Sequence, residues 1–331
     1  MRFHWISRCM KLVLAAIILA FAPLYAGGVT EPQPVVEQPA SATQDPLAEL
    51  TRQVREQPDR FTYAELSLAV AREIYHDLDG AKAAVFMKDL DALTERVRES
   101  IKTAQSAQEK VARANAVLFQ DLGLKCAEST PPEQEVPDYY FPHSTLANKK
   151  GVCLGLTTLY LCVAERVGLP MRGVHAPQHI FVRYDDGNSR VNVETTDGGR
   201  VFELAGYLAR FKEEDRPRLQ EIYFKDLTKL EVLGDLLNAV AWCSSIGTAR
   251  NPLPPERALL TARLCVEICP QDYNNWDTLA QAYLHAKKPQ EALRILRKAI
   301  SMHPPSVGSY DSRYWDDRLK RFLRLAQDKE P

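Results

Sequence analysis

Neither sign of charge prevails in this chain of 331 residues. Lysine and arginine number 42, aspartate and glutamate 43, so the formal net charge is −1 and the pI about 6.7. The basic excess that would hold nucleic acid or an anionic membrane surface is missing, and neither is expected as a partner. Long apolar runs are scarce as well. Leu12 to Ala22 is apolar, but it is short against the roughly 20 residues of a spanning helix. With Arg2, Arg8 and Lys11 before it and Ala26 after it, it reads as a secretory signal over residues 1–26. That predicts an exported protein, periplasmic or secreted, with an uncleaved segment as its one route to a membrane. Cys9 precedes the apolar run and so is not placed as a lipid-modified cysteine. A metal-binding pattern is lacking too. Pro177 disfavours a helix between His175 and His179, and an extended chain sets them roughly 13 Å apart. No metal and no cofactor is expected.

Residues 27–46, rich in proline and without periodicity, read as a linker. Apolar residues at three- and four-residue spacing then predict helices over Phe61–Tyr75, Ala81–Ile101 and Ala104–Leu122. Ser129 to Asp138 is a loop rich in proline and glutamate. The aromatics Tyr139, Tyr140 and Phe141 after it read first as core and second as the wall of a cleft. Phe202–Phe211, Leu227–Ser245 and Tyr310–Ala326 again pattern as helices.

The chain is organised around residues 151–199. Dense apolar residues from Leu154 to Val167, stopped by Gly168-Leu169-Pro170, predict a helix with Cys153 in its first turn. Unpaired N–H groups and the positive end of the helix dipole favour negative charge on a sulfur there. His179–Tyr184 and Ser189–Glu194 predict a β-hairpin about Asp185-Asp186-Gly187-Asn188. A turn centred on Asp186-Gly187 sets His179 directly opposite Glu194. A turn one residue later sets His179 opposite Thr196 and leaves Glu194 as a diagonal neighbour on the same face. Either register keeps an acid beside the imidazole. Cysteine, histidine and acid in this order are the parts of an activated thiol. The candidate catalytic residues are therefore Cys153, His179 and Glu194. Asp197 is the rival acid, better suited to the Asp197-Gly198-Gly199 turn. Cys162, among Leu161, Val163 and Ala164, reads as core.

The words Gly151-Val152-Cys153, Leu156 to Tyr160, Arg166 to Pro170, His179 to Arg183, and Glu194 ahead of Gly198-Gly199 resemble the core of the transglutaminase-like superfamily. More narrowly, they resemble bacterial transglutaminase-like proteins that carry tetratricopeptide repeats. In that family Asp is usual where Glu194 stands, and Gly is common where Gln178 stands. Ile74 to Asp79, Leu90 to Leu93 and Leu118 to Gly123 resemble the helical region ahead of that core. Further on, Trp276, Leu279, Ala280, Tyr283, Ala292, Leu296, Ala299 and Pro304 fit the tetratricopeptide pattern. A degraded copy stands 34 residues earlier, with Trp242, Ala258, Ala262, Cys265 and Pro270. Two such units need support from the core or from a closing helix.

The expected fold is α+β and mostly helical. Its parts are a signal peptide (1–26), a linker (27–46), a transglutaminase-like domain (47–225), tetratricopeptide-like repeats (226–305) and a capping helix (306–331). The resemblance implies acyl chemistry at a thiol, ending in water (peptidase, amidase or deamidase) or in an amine (crosslinking). The other reading is a non-catalytic scaffold that binds a peptide or protein on its helices. Cys126, Cys243, Cys265 and Cys269 are left over; a bond such as Cys243 to Cys269 is open.

Overall fold

In a computed structural model, residues 45–127, 136–303 and 311–327 are described. The signal-peptide reading, and all but the last two residues of the linker, lie outside them. The first described helix, α1 (Pro46–Glu56), starts where the sequence suggested a linker. Asp45 caps it, accepting from the N–H groups of Leu47 and Ala48, and Leu47 and Val54 are buried. α2 (Tyr63–Ala71) opens with a capping box in which Thr62 and Glu65 satisfy each other's backbone N–H. α3 (Gly80–Ile101) matches its expected span. The third expected helix divides: α4 (Ala107–Asn115) continues as a π-helical turn over Ala116–Asp121.

A short parallel pair, β1 (Lys125–Cys126) and β2 (Lys150–Gly151), flanks α5 (Pro142–Asn148) and leads into α6 (Cys153–Val167). α6 ends as expected, with Gly168 in the left-handed region (φ 72°). An antiparallel sheet follows in the order β3 (Met171–Ala176), β4 (His179–Asp185), β5 (Arg190–Glu194), β6 (Arg200–Phe202). The outer strands, β3 and β6, were not expected from the sequence. The register pairs Val182 with Val193 and Arg183 with Asn192, which is the second of the two predicted registers and excludes the first. The cause is in the turn. Asp186 Oδ1 accepts from the N–H groups of Asn188 and Ser189 at 2.9 and 2.7 Å, which opens a four-residue loop over 186–189.

Alternation along the strands gives the sheet two dry faces. Ile180, Val182, Tyr184, Val191 and Val193 join a core with α6 and the amino-terminal helices. Val174, Ala176 and Phe181 join a second core with Tyr207 of α7 (Leu204–Leu208), Leu219 of α8 (Arg216–Ile222), and the later helices. Buried Arg183 ties three segments together. It donates to Asn192 Oδ1, to the Phe224 carbonyl and to Asp226 at 2.8, 3.1 and 2.8 Å. The stretch from His179 to Arg183 is thus partly a structural motif.

The chain closes with α9 (Lys229–Ile246), α10 (Pro255–Ile268), α11 (Tyr273–His285), α12 (Pro289–Met302) and α13 (Asp311–Gln327). Each of α9 to α12 packs against its successor, and α13 packs against α12. Trp276, Leu279, Ala280, Ala292, Leu296 and Ala299 are buried between them. The fold is therefore mostly helical with a small antiparallel sheet. Among the described residues, no helix is long and apolar enough to cross a membrane.

Candidate active site

Cys153 is the first residue of α6. Val152 stands at the cap position and has no side chain to accept from the first turn. A serine or aspartate there would stabilise the helix by about 1 kcal/mol. Its absence leaves the first N–H groups without a side-chain acceptor and with a net positive field. The head of the helix is held from behind. The Val152 N–H donates to the Tyr139 carbonyl at 3.0 Å. A Cβ on Gly155 would collide with that same carbonyl and with the Thr145 hydroxyl, so only glycine lets the segments meet so closely. One turn on, the Thr157 hydroxyl lies 3.3 Å from the Ile180 carbonyl and 3.2 Å from the Thr195 hydroxyl, joining α6 to both sides of the hairpin. Behind it, the Tyr160 hydroxyl donates to Asn115, whose amide donates to the Gly199 carbonyl at 2.6 Å. The helix headed by Cys153 and the turn after Glu194 thus share one hydrogen-bonded support.

His179 begins β4. The residue before it, Gln178, has φ 56°, in the left-handed region that favours glycine. This explains why glycine suits the position, and Gln178 occupies it at some cost in strain. Nε2 of His179 lies 3.0 and 2.9 Å from the two Glu194 carboxylate oxygens, and the Cys153 thiol neighbours the same ring. Glu194 is 8 % exposed. Its Oε1 also accepts from the Thr196 N–H at 3.1 Å and the Thr196 hydroxyl at 2.6 Å. Burial opposes the proton on His179, but the hydrogen bonds to Cys153 and Glu194 outweigh it and raise the pKa to about 10. Burial likewise pushes the Glu194 carboxyl up, and His179 with Thr196 more than offsets it, leaving the pKa below the usual glutamate value.

The structure therefore brings Cys153, His179 and Glu194 together. Asp197 is not part of the group; it is exposed and pairs with Arg200. Cys162 is buried in the core, and burial pushes its thiol well up. Of the aromatics, Phe141 is core, while Tyr140 lines the same cavity as Cys153.

That cavity, of about 500 Å³, has walls from two parts of the chain. Val152, Cys153, Leu154 and His179 form one side; Asn238, Trp242, Asn274 and Thr278 of the later helices and Tyr314 of α13 form the other. His175 also lines it, in a setting the sequence did not suggest. Its Nε2 lies 2.9 and 2.8 Å from the two Asp235 oxygens, and its ring hydrogen-bonds Cys269. Burial alone would lower its pKa, but Asp235 holds it well above the ordinary imidazole value. The partners missed from the sequence, Asp235 and Asp272, come from separate segments, and no local pattern marks them. Among the described residues no group of histidine, cysteine and carboxylate side chains is arranged to hold a metal, and the described cysteines are free thiols, Cys243 and Cys269 included.

Residues 84–238, which contain all three candidate residues, match the model of the transglutaminase-like superfamily. That stretch of the chain is similar to the transglutaminase-like superfamily. The chain is also similar to the UPF0162 proteins of two Xylella fastidiosa strains, Temecula1 and 9a5c, each 27% identical over 158 residues. Those alignments cover 46% of this chain and 51% of each relative, so the chain spans about half the length of the curated relatives it matches. A solved structure of menin, described as revealing the binding site for the Mixed Lineage Leukemia (MLL) protein, superposes with a TM-score of 0.46 at 13% identity, covering 85% of this chain and 75% of that one.

Proposed function

We propose that this protein is an exported thiol enzyme that acts on amide bonds through Cys153, His179 and Glu194. The observation that carries the reading is the single imidazole bridging Cys153 and the doubly bonded Glu194 carboxylate at the wall of an open cavity. His179 takes the thiol proton and later returns it to the leaving amine. Glu194 fixes its orientation and balances the imidazolium. The Cys153 sulfur forms a bond to the carbonyl carbon, and the uncapped N–H groups of the α6 head face the oxygen as its charge develops. Expulsion of the amine leaves a thioester. Water resolves it to an acid, as in a peptidase, amidase or deamidase; a second amine resolves it to a crosslink.

The later helices make the opposite wall of the cavity. In this reading they are tetratricopeptide-like hairpins that present a peptide or protein substrate to Cys153. The amino-terminal residues 1–26 support export. The test is alkylation of the reduced full-length protein with iodoacetamide near neutral pH, mapped by mass spectrometry. Cys153 is expected to label first among the cysteines, and His179→Ala to slow that labelling. An inert Cys153 would sink the enzyme reading and leave a protein-binding scaffold built on the same helices.

A further inference from the structure

The chemistry above does not use Cys126. It packs, partly buried, against the edge of the core and sits in β1, where the parallel register sets it opposite Gly151. The Ala127 N–H donates to the Gly151 carbonyl at 3.0 Å. Val152 remains extended, with φ −78° and ψ 177°, so strand alternation carries Cys153 to the same face as Gly151 and hence as Cys126. Diagonal neighbours on adjacent strands have Cα atoms roughly 7–8 Å apart, with the Cβ atoms somewhat closer. A disulfide spans Cα atoms about 4.4–6.8 Å apart. β1 is only two residues long, and a shift of about 1–2 Å closes the difference.

We propose that Cys126 is the resolving thiol of Cys153, and that a peroxide joins the two in a reversible disulfide that masks the nucleophile. This rests on the reading of Cys153 as the reactive sulfur. The order of events follows from access. Cys153 lines the cavity, whereas Cys126 is not among its lining residues. The Cys153 sulfur attacks one peroxide oxygen; the O–O bond breaks and water leaves, with a sulfenic acid at Cys153. The Cys126 thiol then attacks that sulfur. The S–O bond breaks, the S–S bond forms, and a second water leaves. Each sulfur gives up one electron and the peroxide takes two. A dithiol reverses the step by exchange.

The surroundings fit this division of labour. β1 packs on the Thr195–Asp197 turn beside Glu194. Burial pushes the Cys126 thiol up, and the neighbouring Cys153 and Glu194 add to it, so Cys126 keeps its proton while Cys153 meets the oxidant. An exported enzyme with an unprotected thiol would pass to the irreversible sulfinic acid; a neighbouring thiol intercepts it first.

The test uses the reduced full-length chain, treated with hydrogen peroxide, blocked with iodoacetamide and digested without reductant. A linked peptide pair joining Cys126 to Cys153 is expected, with loss of Cys153 labelling that dithiothreitol restores. In Cys126→Ser the linked pair is absent and dithiothreitol no longer restores the label, because Cys153 has become sulfinic acid. If Cys153 labels well in the reduced protein but links to another cysteine or to none, and Cys126→Ser recovers like the unaltered chain, the inference is overturned while the enzyme reading stands. If Cys153 takes no label even when reduced, the enzyme reading fails and this inference falls with it.

Discussion

Two groups of cysteine, histidine and carboxylate meet at the cavity, built from the same types of side chain. Cys153 with His179 and Glu194 is one; Cys269 with His175 and Asp235 is the other. The histidines lie four residues apart, at the end of β3 and the start of β4. Each presents Nε2 to both oxygens of its acid at 2.8–3.0 Å, and each ring also bonds a thiol. What differs is where the sulfur sits on its helix. Cys153 opens α6, at the positive end of the dipole, and lines the cavity. Cys269 closes α10, at the negative end; it is 5 % exposed, with Asp272 three residues on. Burial pushes its thiol up, and His175 only partly offsets that. The list of residue types does not distinguish a thiol open to the cavity from a structural lock. Helix polarity and access do.

The sharpest way to break this comparison is to remove each sulfur. Cys153→Ser is expected to abolish the fast iodoacetamide label entirely, and Cys269→Ser to leave it at the unaltered rate. Equal loss in the two variants would refute the distinction. Exchanging the histidines gives the next effect. His179→Ala slows Cys153 alkylation by about tenfold or more, since the thiol loses its cationic neighbour, with a modest change in stability. His175→Ala leaves Asp235 half-buried without its partner and costs about 3 kcal/mol in urea unfolding, while the label rate holds. His175 joins β3 to α9 and the end of α10, so its loss loosens the sheet from the helices that complete the cavity.

A pH series sharpens the same contrast. The His179 pKa is raised from 6.5 to about 10 in the folded chain. The stability its proton contributes is therefore full below about 6.5 and is lost as pH rises from there through about 10. The melting temperature of the unaltered protein should fall across that interval. In Glu194→Gln the decline should be smaller and end at lower pH, because the main carboxylate partner of the imidazolium is gone. Superimposable melting profiles for the two proteins would contradict the assigned pair.

How legible this was in the sequence follows from distance along the chain. The α6 start, its glycine end and the β4–β5 hairpin are local, set by capping, turn chemistry and alternation. That locality is why Cys153, His179 and Glu194 could be named before any contact was seen. Of the two registers left open, the later turn wins because the Asp186 carboxylate captures two N–H groups and lengthens the loop. β3 escaped notice because Met171–Ala176 is a strand only through its pairing with β4 and the bridge from Val174 to Asp226. α1 was hidden by its proline at the first helical position, a favourable site that resembles a linker when read by composition. The cavity's far wall was illegible for a stronger reason: Trp242, Asn274, Thr278 and Tyr314 converge only after α9 to α13 have packed.

The smallest effect concerns Thr196, which separates the two acids most finely. Glu194 Oε1 accepts from His179, from the Thr196 N–H and from the Thr196 hydroxyl, the last at 2.6 Å. Asp235, by contrast, reaches His175 without such a hydroxyl among its described hydrogen bonds. Thr196→Val keeps the backbone donor and the side-chain volume but deletes the hydroxyl, so it costs about 1 kcal/mol, the ordinary worth of one hydrogen bond. If the hydroxyl orients the carboxylate, the Cys153 label rate falls about fivefold through that loss, and Thr196→Ser restores it. If the hydroxyl only stabilises the turn, both variants shift the unfolding midpoint while the label rate and its pH profile stay where they were.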